Sequence, residues 1–131
     1  MATYQKFQPG IEGLLEGVNA GTDSWSIKLA TAVNAAAGTF TEVANGNGYT
    51  TGGNSAGTNS TATQSGGTYT LTLSNPAVWT ASGAGFAFQY AVLVDTTASV
   101  NVAYWDYGSS QTVAPGETVT VTFPGAVFTA T

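Results

Sequence analysis

Cysteine, histidine and arginine are missing from this 131-residue chain, and lysine occurs twice, as Lys6 and Lys28. Without His or Cys there is no His/Cys zinc site, no Ser-His-Asp triad and no thiol nucleophile. Disulfides are excluded, so stability must come from packing or assembly. Without Arg there is no bidentate phosphate clamp. The net charge is −5 and the pI about 4.1, the wrong sign for displacing counterions from nucleic acid. Charged residues make up only 7 % of the chain, against roughly 25 % in an average domain. Long apolar runs are also lacking. No window approaches the ~20 residues of a membrane span. The first ten residues carry no apolar segment of signal-peptide type, so the expectation is synthesis in the cytoplasm without secretion. No cofactor is implied.

What is present is a substantial apolar fraction, 43 %, spread among Gly, Ala, Ser and Thr. Gln8 to Val18 reads as the one helix. Pro9 suits its first turn, and Ile11, Leu14, Leu15 and Val18 recur at i, i+3, i+4 and i+7. Gly10, Gly13 and Gly17 weaken it, so tertiary packing must hold it.

Beyond Gly21 the period becomes two. Trp25, Ile27 and Leu29 alternate with smaller or polar residues, as do Tyr69, Leu71 and Leu73. The same holds for Phe86, Phe88, Tyr90, Val92 and Val94, and for Val119, Val121 and Phe123. Each reads as a half-buried strand with a polar or small outer face. Val78–Ala81, Asn101–Tyr107, Gln111–Val113 and Val127–Thr129 are further strand candidates. Ala114-Pro115-Gly116-Glu117 has the form of a type II turn. The pattern predicts a mainly β, antiparallel sandwich or jelly-roll-like single domain over 1–131 with one short N-terminal helix. Residues 1–22 read as an N-terminal arm and helix. Residues 44–67, rich in Gly, Ser, Thr and Asn, read as a long surface loop with an edge strand near Ser60–Gln64.

Candidate chemistry is sparse. Glu12 and Glu16 share a helix face, which reads as a solvated surface near the helix N-terminus. Asp95, Asp106 and Glu117, with Glu42, supply carboxylates in the β region, but no spacing marks a glycosidase pair. Asp95-Thr96-Thr97 echoes an aspartic-protease triplet without its glycine or second copy, and reads as an Asx-capped turn. Gly46-x-Gly48 lacks the third glycine of a dinucleotide fingerprint and a following helix. Asn59-Ser60-Thr61 matches a glycosylation sequon by accident. Tyr104-Trp105-Asp106-Tyr107 is the densest aromatic patch, packing on both faces or leaving a ring exposed for stacking. No catalytic, cofactor or metal residue is expected, and the chain is not expected to be an enzyme.

Several stretches carry a resemblance that spans the chain in order. These are Met1–Phe7 with the short helix, Glu42–Gly53 with its Gly46-Asn47-Gly48-Tyr49-Thr50-Thr51-Gly52-Gly53, Trp79–Gly83 and Tyr90–Leu93. Trp105-Asp106-Tyr107-Gly108-Ser109-Ser110 and Ala114–Thr118 complete the set. Together they resemble a family of small virion proteins of tailed bacteriophages. The chain departs from the family's Pro-Phe-Arg-Tyr pattern at Ala87-Phe88-Gln89-Tyr90, losing a cation there but not the strand pattern. The resemblance implies a non-enzymatic structural role, foremost as a decoration, or cement, protein on the phage head surface. Its partners would then be the major capsid protein and copies of itself, a trimer at local three-fold positions being one arrangement. The contact residues expected are exposed anchors: Tyr4, Phe7 and Ile11 of the arm and helix, Tyr49 of the long loop, and Trp105 and Tyr107. A charge-poor surface suits such packing, since a buried Lys or Glu would cost desolvation. Two other readings stand beside it: a tail adaptor, tube or fibre subunit, and a glycan-binding sandwich stacking sugars on Trp105, Tyr107 or Trp79.

Overall fold

The computed structural model describes residues 2–59 and 64–130. The expected mainly β, antiparallel architecture is what the chain adopts, with two layers and a core between them. One layer is a sheet of six strands. Its backbone is β2 (Trp25–Asn34), β8 (Phe86–Asp95) and β9 (Val100–Val113), the three longest strands. β1 (Thr3–Lys6) adds to the outer edge of β9, and β3 (Thr39–Glu42) and β4 (Asn54–Gly57) share the far edge of β2. The other layer is built from short pieces. β5 (Gln64–Ser65), β6 (Thr68–Leu71) and β11 (Phe128–Ala130) form one ladder, and β7 (Trp79–Thr80) pairs with β10 (Thr118–Val119).

Alternation explains the core. Trp25, Ile27 and Leu29 of β2, Ala91 and Leu93 of β8 and Ala103 of β9 turn inward. They meet Leu71, Leu73, Trp79, Val119, Val121 and Val127 from the opposite layer. The residues between them in sequence point outward. There Ala30, Val92, Val94 and Tyr104 form a second, smaller cluster capped by Phe7. The large sheet is therefore apolar on both faces along its central strands.

The period-two reading holds for β2 and β6, whereas in β8 the predicted set changes face at a register shift: Phe86 and Phe88 pack on the main core with Ala91 and Leu93, and Tyr90, Val92 and Val94 lie on the second cluster. The two candidates Asn101–Tyr107 and Gln111–Val113 are parts of one strand, β9, interrupted by a register shift opposite Gln89. Past β10 the chain continues without ladder pairing, yet Val121 stays buried and Thr122 exposed, so the alternation of the predicted Val119–Phe123 strand survives. The predicted Ala114–Glu117 turn closes with the Glu117 N–H donating to the Ala114 carbonyl at 2.9 Å.

Two expectations are corrected. Residues 3–6 are not a projecting arm: they pair with Ala103–Asp106 as β1. Residues 44–67 are not a plain surface loop either. β4 lies within them, fully buried Ala56 included, and Tyr49 and Asn59 are buried. Asn47-Gly48 is the reason the segment folds back. Gly46 and Tyr49 exchange hydrogen bonds of 2.8 and 3.0 Å across a two-residue turn, with φ of 55° at Asn47 and 96° at Gly48. Positive φ at both central positions is what an Asn-Gly hairpin turn requires. Of the edge strand predicted near Ser60–Gln64, Gln64 belongs to β5 and residues 60–63 lie outside the described residues.

Helix α1 (Gln8–Glu16) forms where periodicity places it, but it turns a different face to the protein. A methyl group at Gly10 would sit 2.6 Å from the Asn101 carbonyl oxygen, and one at Gly13 would sit 2.6 Å from Val100 Cγ1. The glycines that weaken the helix are thus its docking stripe on β9. Leu14 and Val18 pack partly on the core, while Ile11 and Leu15 remain 49 % and 84 % exposed.

Candidate functional site

Six residues are expected to be exposed anchors, and three of them converge. Tyr4 on β1 lies directly opposite Trp105 on β9, both on the inward face of the sheet. Their rings meet edge to face, 5.4 Å apart at 63°. Trp105 in turn packs on Phe123 at 5.8 Å, and Tyr107 stands edge-on to Phe88 at 5.3 Å. Tyr4, Trp105, Tyr107 and Phe123 line a cleft of about 480 Å³ at the β1 edge, together with Val121 and Val127. Tyr4, Trp105 and Tyr107 are each half-buried, with part of every ring accessible.

Among the described residues no carboxylate or amine lines this cleft. Its polar atoms include the Tyr4 and Tyr107 hydroxyls, and burial pushes both above the usual tyrosine range, so both stay protonated donors at neutral pH. Tyr4 also borders a second hollow of about 290 Å³, shared with Lys6, Leu14, Leu15 and Tyr69. The combined surface offers ring faces, aliphatic carbon and hydroxyls to whatever lies against it.

The other expected anchors lie elsewhere. Phe7 has no exposed surface and packs on Tyr104 at 5.0 Å, on the opposite face of the sheet. Tyr49 is 2 % exposed. Its hydroxyl accepts from the Leu29 N–H at 3.1 Å and donates to Glu42 Oε1 at 2.8 Å. Burial and that carboxylate raise its pKa far above the ordinary value. Phe7 and Tyr49 are core residues, one in each of the two apolar clusters. Ile11 is accessible but sits on the helix. Trp79 is 3 % exposed, which removes it as a stacking platform. Phe123, whose period-two position reads as ordinary strand core, joins the cleft because the chain leaves its ladder after Val119.

The carboxylates are occupied with local structure. Glu42 accepts from Tyr49 and from the Gly52 N–H at 2.6 Å, with Lys28 Nζ 3.8 Å away. Asp106 accepts from the Gly108 N–H at 2.8 Å and from Gln89 Nε2 at 3.1 Å. Glu117 caps its own turn through Ala114 N–H. Glu12 and Glu16 are exposed on α1. Asp95 caps the β8–β9 turn through Ala98 N–H at 2.8 Å, as an Asx turn would. Among the described residues no group of three or more acidic side chains converges as a metal site. The Asn59 amide donates to Tyr69 Oη at 2.8 Å and lies buried, out of reach of glycosylation.

Fold and cleft together define the chain as an antiparallel β-sandwich with an aromatic cleft at one open edge. Comparison with protein-family models, curated proteins and solved structures finds no match.

Proposed function

We propose that the chain is a non-enzymatic structural protein of a tailed-phage particle, a decoration protein that binds the assembled head and its own copies. The observation that carries this reading is the surface. Of two lysines and seven carboxylates, Asp23 and Asp95 are buried and Lys28 faces Glu42. Lys6, Glu12, Glu16, Asp106 and Glu117 are left to serve a surface of 6569 Å². A freely diffusing domain normally keeps ~25–35 % of its surface residues charged. Thr, Ser, Ala and Asn on the outside can instead be covered by a neighbour at small desolvation cost. The chain-long likeness to small virion proteins supports the same reading, and the Tyr4–Trp105–Phe123 cleft supplies aromatic anchors of the kind that dominate interfaces.

The test is cosedimentation of purified protein with isolated heads lacking it, beside a glycan array. Saturable binding in fixed ratio to the shell subunit, with no glycan retained, is the expected result. Glycan retention without head binding would replace this reading with the sugar-binding one, in which Trp105 and Tyr107 form the platform. Binding to tails alone would transfer the protein to the tail.

A further inference from the structure

We propose that Asp23 and Asp95 share one proton, and that this proton clasps the connection between α1 and β2 to the turn between β8 and β9, making that attachment sensitive to pH. The two segments come together at the end of the β2–β8 ladder, where Trp25 pairs with Asp95. The Thr96 N–H and hydroxyl both donate to the Ser24 carbonyl at 2.9 Å, and the Ser24 N–H donates to Thr97 Oγ1 at 3.0 Å. This brings Asp23 against Asp95. Both are out of water, 8 % and 0 % exposed.

Each carboxylate has one oxygen engaged. Asp23 Oδ2 accepts from the Asn19 N–H at 2.9 Å, and Asp95 Oδ1 accepts from Ala98. Asp95 Oδ2 is buried with no donor. A carboxylate oxygen in that position costs the full desolvation of a charged acceptor. A proton on it removes the charge and turns it into a donor toward the Asp23 carboxylate. Asp23 is the charged side chain acting on Asp95; the other groups acting on it are the Thr97 and Ala98 N–H groups. Burial first, then Asp23, raises the Asp95 pKa from 3.8 to about 6.

The direction follows from linkage. A carboxyl whose pKa is higher folded than unfolded stabilises fully below its unfolded value, and that contribution is lost as pH rises through its folded value. The clasp is therefore closed in mild acid and loosens above about pH 6. Its release would act on Asn19–Asp23, a turn in which Asn19 accepts from Thr22 and Asp23 N–H groups and which follows directly on α1.

The experiment is a carbon-13 titration of the aspartate carboxyls in the full chain, with thermal melts across the same pH range for wild type, Asp95→Asn and Asp23→Asn. Either Asn supplies the missing hydrogen without a proton. The expected results are an Asp95 carboxyl titrating well above an ordinary aspartate, a wild-type melting temperature that falls as pH rises from mildly acid to mildly basic, and a fall that flattens in both variants. Amide exchange at Asn19 should also rise with pH beyond the intrinsic tenfold per pH unit. An Asp95 carboxyl titrating at its ordinary value would overturn the proposal. So would variants that keep the wild-type pH slope, whatever their absolute stability. If either variant fails to fold, the wild-type titration alone decides.

Discussion

Tyr49 shows how a single residue can be misread from sequence. In a Gly- and Asn-rich stretch it resembles an exposed anchor, because local apolar content is low. Nothing in the one-dimensional pattern reports that its hydroxyl will meet the Leu29 N–H and Glu42 across the sheet. The Asn47-Gly48 dipeptide did carry a signal, since that pair is the strongest short hairpin cue, and it is this turn that swings the ring inward. Tyr49→Phe leaves the Leu29 N–H without its acceptor and removes one of the donors to Glu42, which keeps the Gly52 N–H. The expected cost is about 1–3 kcal/mol in urea unfolding, with the fold retained. A change near zero would mean that the hydroxyl is not holding the loop to the sheet.

At the scale of elements, long strands were readable and short ones were not. β2, β6 and β8 announce themselves because alternate residues are large and apolar. β4 is Asn54-Ser55-Ala56-Gly57. Its pairing with β2 is made by backbone groups, and its one core contribution is a methyl group. β1 is equally quiet, with Tyr4 as its one large apolar side chain. Helix α1 was readable as a helix, but its orientation was not, because glycine makes contact through the absence of a side chain. The element that matters most for the cleft is β1. Removing residues 2–6 strips the β9 edge at Ala103–Asp106 and uncovers Trp105. The expected loss is about 2–4 kcal/mol of unfolding free energy, measured by denaturant titration. An unchanged midpoint would mean that these residues are a detachable arm after all.

For the whole molecule, the sandwich class followed from strand count, turn chemistry and periodicity, and the cleft did not. Tyr4, Trp105 and Phe123 are far apart in sequence, and their meeting depends on how β1 docks and where the second layer departs from its ladder. Composition pointed further at this scale than any motif did. On the reading proposed above, few exposed charges and a half-buried aromatic edge are the features by which neighbours would cover this chain. Phe7 and Tyr49 drop out as exposed contacts, leaving Tyr4, Trp105 and Tyr107, with Phe123 beside them, and Ile11 on the helix as the surface on which a neighbour would bear. The most direct measurement is the amount of this chain in purified phage particles that encode it, quantified by mass spectrometry against the major shell protein, with tail-less heads measured alongside. The account predicts a fixed stoichiometric ratio to the shell protein that persists on the tail-less heads. Absence from the particles, or a handful of copies lost with the tail, would contradict it.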